Sequence, residues 1–144
     1  MRTLWLLALA LVAGCTSAVG PDGGGSFSVA AKLGEQFTLK VGQRARIDDA
    51  GLAVRFVDVV GDSRCPSNAL ILCVWEGDGA ILVEITPLGT GNARSDTLHT
   101  TLDPKWVLLG TRLVELLELA PYPFDVTPIP IDDYRATFTV RLVR

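Results

Sequence analysis

The chain has 144 residues with 13 basic and 16 acidic side chains, which gives a formal net charge of −3 at pH 7. No basic cluster interrupts this mildly acidic sequence, and the usual electrostatic footprint of a nucleic-acid-binding protein is therefore excluded. Hydrophobic residues make up 49% of the chain, which excludes an intrinsically disordered composition.

The N-terminal segment has the pattern of an export signal. Arg2 precedes an unbroken apolar run over residues 4–13, which is too short to span a bilayer because a spanning helix needs roughly 20 residues. Its length and basic flank are typical of the apolar core of a secretory signal. The run ends in Leu-Val-Ala-Gly-Cys at residues 11–15, where small residues fit a peptidase cleft in extended form.

This five-residue stretch resembles the lipobox of bacterial lipoproteins. The resemblance implies that residues 1–14 are a signal peptide, that cleavage precedes Cys15, and that its thiol carries a lipid. The alternative is an ordinary signal peptide cut near a cysteine. Thr16 stands where Asp would resemble an inner-membrane retention signal in enterobacteria. We therefore expect a lipid-anchored protein of the cell envelope, in the outer membrane if the cell has one.

A change of composition separates a spacer from a folded domain. Residues 16–26 are rich in Gly and lack hydrophobic periodicity, which predicts a flexible tether after the lipidated Cys15. Such a coil places the domain about 15–20 Å from the lipid. The remaining residues, 27–144, are long enough for one domain with its own core.

Alternation of apolar and polar residues dominates this domain and predicts short strands. The alternating segments are 37–41, 52–58, 80–85, 97–101 and 134–143.

The segments between these strands complete the prediction of the fold. A turn at 88–92 predicts a hairpin between strands 79–87 and 94–101. Residues 112–119 fit a strand, although their apolar spacing also fits a helix. Four prolines at 121–130 exclude a central strand and predict a long exposed loop over 121–133. We predict an all-β fold, an antiparallel β-sandwich or partly open barrel of about seven to nine strands.

Three cysteines divide between the anchor and the domain. If Cys15 is lipidated, Cys65 and Cys73 remain as an even pair in an oxidising compartment, which predicts one disulfide. The alternative is a pair of zinc-ligating thiolates. A zinc site needs two more ligands, and the chain has a single histidine, so we expect no metal cofactor.

The most distinctive stretch reads Asp-Ser-Arg-Cys-Pro at 62–66 and Cys-Val-Trp-Glu-Gly-Asp at 73–78. It resembles a segment of small secreted bacterial proteins of uncharacterised function, in which a DSRCP turn precedes a CxWxG strand. The resemblance implies no catalytic residues. In a structural interpretation, the disulfide staples the turn to a strand that starts at Cys73, and Trp75 packs nearby.

A functional interpretation treats the same stretch as a polar binding patch. Its candidate residues are Asp62, Arg64, Trp75, Glu76 and Asp78. Arg64 can pair with Asp62 or Glu76, and the three acids are hard oxygen ligands suited to Ca²⁺. Their spacing matches no EF-hand loop. The alternative is that these residues only stabilise the turn.

The sequence favours a non-enzymatic protein. His99 is the only histidine, its Thr-rich strand predicts a solvent-facing side chain, and no Gly-x-Ser-x-Gly elbow accompanies it. No Walker or GxGxxG motif is present. Aromatic residues in predicted loops, Trp106, Tyr122 and Phe124, are candidates for a binding surface.

We therefore expect a membrane-anchored protein with a non-enzymatic binding or envelope-structural β domain. Its expected partners are the membrane, through the lipid on Cys15, and an envelope protein or small ligand, without a cofactor and without nucleic acid. The alternatives are a calcium-dependent binding module and a hydrolase with an unrecognised site.

Overall fold

The computed structural model describes residues 28–144, which fold into a β-sandwich of nine strands in two sheets. This architecture confirms the predicted all-β fold. The strands in chain order are β1 (Val29–Ala31), β2 (Gln36–Lys40), β3 (Arg44–Ile47), β4 (Leu52–Asp62), β5 (Gly79–Pro87), β6 (Arg94–His99), β7 (Trp106–Leu109), β8 (Arg112–Ala120) and β9 (Arg135–Leu142). Short 3-10 turns occupy Asp48–Ala50 and Ile131–Asp133.

The first sheet has the strand order β1-β3-β4-β5-β6. Strands β3 to β6 form an antiparallel meander, but β1 pairs with β3 in parallel, with Val29 opposite Ala45. The strictly antiparallel prediction is therefore wrong for this pair. Between β1 and β3 the chain reverses twice, into and out of β2 in the other sheet, so β3 runs in the direction of β1.

The second sheet has the order β2-β9-β8-β7, and all its neighbours are antiparallel. Alternate side chains of both sheets point inwards, as the period-two pattern predicts. Phe138 of β9 stacks on Phe37 with ring centroids 5.8 Å apart and meets the edge of Phe56 at 6.5 Å. The core therefore lies between the sheets, and its largest fully buried side chains are Phe56, Phe138, Leu39, Ile47, Leu52, Ile81, Ile85 and Leu98.

Several local predictions are decided by the strand pairing. The segment 112–119 lies within strand β8 and not in a helix, and a bulge between Leu116 and Glu118 shifts its register. The hairpin of β5 and β6 is confirmed, although β6 ends at His99. No strand starts at Cys73, because residues 63–78 form a loop.

The two ends of the sandwich differ. At one end, which we call the short-turn end, compact connections over 32–35, 48–51, 88–93 and 110–111 join the strands. At the other, which we call the loop end, the long segments 63–78 and 121–134 leave the strands, together with the six-residue loop 100–105 and the short turn 41–43. The exposed loop predicted at 121–133 is confirmed, with its last residues in the second 3-10 turn.

The predicted signal peptide at 1–14, Cys15 and the tether at 16–26 lie outside the described residues. Within residues 28–144, no helix has the length and apolar character needed to cross a membrane.

Candidate functional site

The pairing of β4 with β5 continues beyond the strands into the loop 63–78. The Ser63 N–H donates to the Asp78 carbonyl at 2.7 Å, and the Cys65 N–H donates to the Glu76 carbonyl at 2.8 Å. The base of the loop is thus an irregular extension of the β4–β5 hairpin, and its two chain segments continue in the directions of these strands.

A glycine and a disulfide fix the shape of this loop. Gly77 has a φ of 74°, and a Cβ atom there would stand 1.8 Å from the Ser63 carbonyl oxygen, so only glycine fits. The sulfur atoms of Cys65 and Cys73 lie 1.98 Å apart. The predicted pairing of these cysteines is therefore confirmed, and the zinc-thiolate alternative is wrong.

Arg64 connects the loop end to both sheets. It is only 6% exposed, and its guanidinium forms a two-point contact with Asp62, with Nε–Oδ1 at 2.8 Å and Nη2–Oδ2 at 2.6 Å. Nη1 donates to the Leu119 carbonyl, and Nη2 donates to the Pro121 carbonyl at 2.9 Å. Four of the five guanidinium N–H groups are thus engaged, which suits a structural role for Arg64.

Tyr134 completes this arginine network, which we define as Asp62, Arg64 and Tyr134. The Tyr134 hydroxyl donates to Asp62 Oδ2 at 2.8 Å. Burial alone raises the pKa of Asp62, but hydrogen bonds from Arg64 and Tyr134 outweigh it and lower the pKa below its usual value. Burial and the Asp62 carboxylate raise the pKa of Tyr134 to about 12. The network therefore holds a carboxylate, a guanidinium and a neutral phenol at neutral pH.

A second buried carboxylate belongs to Asp78, which is 7% exposed. Its Oδ2 accepts from Nδ1 of His99 at 2.6 Å, because an ionised carboxylate can only accept. Its Oδ1 accepts from the Thr101 N–H at 2.9 Å, the Leu102 N–H at 3.3 Å and the Thr100 hydroxyl at 3.3 Å. The prediction of a solvent-facing His99 is wrong, because its ring turns towards this carboxylate.

These contacts determine what the Asp78–His99 pair can do. Burial raises the pKa of Asp78, but the His99 and backbone hydrogen bonds outweigh it and lower the pKa. A carboxylate that orients a histidine through Nδ1 also forms, with that histidine, two of the three members of a nucleophile–base–acid triad. The same contacts anchor the loop 100–105 to the start of β5, which is a structural role.

The loops 63–78 and 121–134 are joined to each other. The N–H groups of Ser67 and Asn68 donate to the carbonyls of Pro123 and Phe124, both at 2.9 Å. The Tyr122 ring lies over the Arg64 guanidinium, 5.1 Å from centroid to Cζ, in a cation–π contact. The two loops therefore form one unit.

This unit presents large apolar side chains to solvent. Leu70 is 91% exposed, Leu72 is 94% exposed and Val74 is fully exposed. Of the fourteen large apolar residues that are exposed within 28–144, eight lie in these two loops. We define the apolar tip as Leu70, Leu72, Val74, Trp75, Tyr122, Phe124 and Val126.

Two clefts of about 260 and 250 Å³ flank Arg64. The first lies between the arginine network and the Pro-rich loop, with Asp125 and Pro128 in its wall. The second is lined by Glu76, Tyr122 and the end of β8. Since the Arg64 donors are mostly engaged within the protein, neither cleft offers a ligand a free guanidinium.

The five residues predicted as a binding patch do not form one exposed surface. Asp62 and Arg64 belong to the arginine network, and Asp78 faces His99. Glu76 is exposed, and Trp75 is 55% exposed in the apolar tip and does not pack into the core. The buried salt bridge between Arg64 and Asp62 agrees with one of the two predicted pairings.

The described residues also bear on the calcium alternative. No group of three or more His, Cys, Asp or Glu side chains within 28–144 is arranged to hold a metal ion. The carboxylate oxygens of Asp62 and Asp78 already accept hydrogen bonds from a guanidinium and from backbone N–H groups. These oxygens therefore do not converge on a cation position.

Sequence reasoning missed two partners in these networks. Tyr134 reads as the start of an alternating strand, and His99 as an exposed strand residue. Only their pairing with Asp62 and Asp78, over 72 and 21 residues, reveals their roles. The one sequence signal for a role of Tyr134 was the position of its phenol beside the Pro-rich loop. The predicted loop aromatics Tyr122 and Phe124 are exposed in the apolar tip, and Trp106 is exposed on β7.

Comparisons with protein-family models, with curated proteins and with solved structures find no match to this chain.

Proposed function

We propose that this protein is a lipid-anchored, non-enzymatic binding module of the cell envelope, and that the apolar tip is its binding surface. The observation that carries the proposal is the exposure of seven large apolar side chains on loops that are fixed to the sandwich. Exposed apolar clusters on soluble domains mark interaction sites.

The rigidity of the apolar tip supports this proposal. A disulfide, two inter-loop hydrogen bonds and the arginine network hold its loops. A surface that is ordered before binding loses less conformational entropy on binding. The buried polar groups therefore serve to present the apolar residues, and this explains why Arg64 and Asp78 of the predicted polar patch are buried.

The anchor follows from the lipobox resemblance at residues 11–15. Replacing Cys15 with alanine should abolish incorporation of a labelled fatty acid and release the protein from the membrane fraction. Labelling of the Cys15→Ala variant equal to that of the wild type would contradict the anchor.

The binding surface is tested by affinity capture from the protein's own envelope. Wild-type protein is compared with Leu70→Ser/Leu72→Ser in the apolar tip and with Leu108→Ser/Leu142→Ser elsewhere, a matched pair of exposed leucines. We expect the tip variant to lose what the wild type retains, and the control variant to keep it. Equal retention by all three would contradict a binding role for the tip.

The hydrolase alternative rests on one observation, the oriented Asp78–His99 pair. It predicts that ester, amide or glycoside hydrolysis by the wild type is lost in Asp78→Asn and in His99→Gln. Inactivity of the folded wild-type protein across such substrates would remove this alternative. Among residues 28–144, no comparable geometry favours the calcium-dependent module.

A further inference from the structure

We propose that the occupant of the apolar tip is the lipid bilayer that carries the Cys15 anchor, so that the domain touches its membrane with its loop end. This inference rests on the proposed function, because it names the partner of the same surface. A protein partner is the competing outcome, and the test below separates the two.

The shape of the apolar tip favours a bilayer. Leu70, Leu72 and Val74 are more than 90% exposed, which means that they project from the loop and do not line a groove. Projecting aliphatic side chains find a complementary environment in hydrocarbon without a matching pocket. An interfacial protein buries such residues about 5–10 Å into the boundary between headgroups and acyl chains.

The aromatic residues of the tip have the chemistry of a membrane interface. Trp75 and Tyr122 are about half exposed, whereas the aliphatic residues project fully. Tryptophan and tyrosine combine an apolar ring with a polar N–H or O–H group, and they concentrate where headgroups meet hydrocarbon. The aliphatic side chains are thus more exposed than the amphipathic aromatic ones, as expected if the former enter hydrocarbon and the latter stay near the headgroups.

The direction of the chain points the anchor towards the same end. Strand β1 is parallel to β3 and antiparallel to β4, so β1 begins on the side of the sheet towards which β4 runs, the side of the loop 63–78. Ser28 donates its N–H to the Arg44 carbonyl, and Arg44 lies opposite Arg55. The first described strand therefore begins on the side of the domain on which the apolar tip lies.

The length of β4 beyond Arg55 is compatible with the reach of residues 16–27. From Arg55 to the end of β4 at Asp62 the strand extends by about 23 Å at 3.3 Å per residue. Residues 16–27 can extend over about 40 Å, and a flexible chain of that length has a mean extension of about 17–21 Å. A lipid on Cys15 and the apolar tip can thus reach one membrane plane together.

Charge decides which lipids suit the tip. In the loops 63–78 and 121–134 the only basic residue is Arg64, which is buried and bonded to Asp62, whereas the acidic residues Glu76, Asp132 and Asp133 are exposed. Contact is therefore apolar and does not depend on attraction to anionic headgroups. Phosphatidylcholine vesicles are a suitable probe, and addition of phosphatidylglycerol should not strengthen the contact.

The experiment reads the position of Trp75 directly. Full-length protein is purified from its own membranes and placed in phosphatidylcholine vesicles whose acyl chains carry bromine, a short-range quencher of tryptophan fluorescence. Cleavage before Cys15 removes Trp5, so Trp106→Phe leaves Trp75 as the reporter, and Trp75→Phe leaves Trp106 on β7 as the matched control. We expect the emission of Trp75 to fall by about half and that of Trp106 to change little.

A second variant separates insertion from mere tethering. Adding Leu70→Ser, Leu72→Ser and Val74→Ser to the Trp75 reporter should remove the quenching while the protein still sediments with the vesicles. Persistent quenching in this variant would overturn the inference, because the anchor alone would then explain proximity.

The remaining outcomes are equally decisive. An unquenched Trp75 at saturating vesicles, with or without a lipid on Cys15 by mass spectrometry, overturns bilayer contact. If envelope capture still depends on the apolar tip in that case, the occupant is a protein and the proposed function stands. If capture is also independent of the tip, both proposals fail.

Discussion

The short-turn end and the loop end of the sandwich solve the same problem in different ways. Each must reverse the chain between strands while satisfying backbone polar groups. Compact turns do so at the short-turn end, where Gly34, Gly51, Gly89 and Gly110 adopt positive φ angles. At the loop end, buried side chains satisfy such groups: Arg64 binds two carbonyls where β8 ends, and Asp78 binds two N–H groups after β6.

The two ends also differ in their buried charges. Arg64 and Asp78 are the two buried charged residues among those described, and both lie at the loop end. Buried ion pairs contribute little net stability compared with apolar packing, but removing one partner is strongly destabilising. Such groups fix long loops in one conformation. The exposed apolar residues lie on these same loops, which links the fixed conformation to binding.

Among the substitutions that test this comparison, removal of the Arg64 side chain should lower the unfolding free energy most. Arg64→Ala leaves the buried Asp62 carboxylate and two carbonyls without their donor, and we expect a loss of about 3–5 kcal/mol of unfolding free energy. Chemical denaturation followed by circular dichroism measures it. The matched control is Arg141→Ala on an exposed pair with Glu115, which should cost at most about 1 kcal/mol. Equal losses in the two variants would mean that the arginine network does not fix the loop end.

The same leucine-to-alanine change should separate the core from the apolar tip. Leu39 is fully buried between the sheets, so Leu39→Ala should lower the unfolding free energy by about 2–5 kcal/mol through lost burial and a cavity. Leu72 is exposed, so Leu72→Ala should change it by less than about 0.5 kcal/mol. Thermal and urea unfolding of both variants provide the measurement. A large loss in Leu72→Ala would show that the tip packs within the domain and is not a free surface.

Removal of the disulfide should lower the unfolding free energy by a smaller amount. Cys65→Ser/Cys73→Ser releases a link between residues separated by 8 positions, and the chain-entropy model gives about 2–3 kcal/mol. The strand core lies outside this loop, so we expect the far-ultraviolet circular dichroism spectrum to be retained. Hydrogen exchange should increase within 63–78 and stay unchanged at the short-turn end. Increased exchange spread evenly over both ends would contradict a local role for the disulfide.

How far the sequence predicts this structure can be seen in particular residues. The alternation at 37–41 and 80–85 predicts strands correctly, because a half-buried strand imposes a period of two. Strand β8 is ambiguous because its bulge at Leu116–Glu118 breaks that period and imitates helical spacing. The parallel pairing of β1 leaves no sequence signal, since it follows from which sheet β2 joins.

The candidate site was less predictable than the strands. Asp62 and Arg64 are close in sequence, so their pairing can be anticipated. Tyr134 and His99 approach their carboxylates only through the packing of the two sheets and the pairing of β5 with β6. The exposure of Leu70 and Leu72 is also invisible in sequence, because an apolar run flanked by cysteines reads equally well as a buried strand.

The hydroxyl of Tyr134 offers the finest test of the loop end. Its pKa is raised to about 12 by burial and by the neighbouring Asp62 carboxylate. Because the folded value exceeds the unfolded value of about 10, the stabilising contribution is complete below pH 10 and is lost as the pH rises through about 12. Tyr134→Phe removes one hydrogen bond to a carboxylate and should cost about 1–2 kcal/mol at pH 7. The protein has two tyrosines, so the absorbance at 295 nm of the wild type minus that of Tyr134→Phe isolates the titration of Tyr134. A midpoint near the ordinary value of about 10 in folded protein would mean that Tyr134 does not bond to Asp62, and the arginine network would then consist of Asp62 and Arg64 alone.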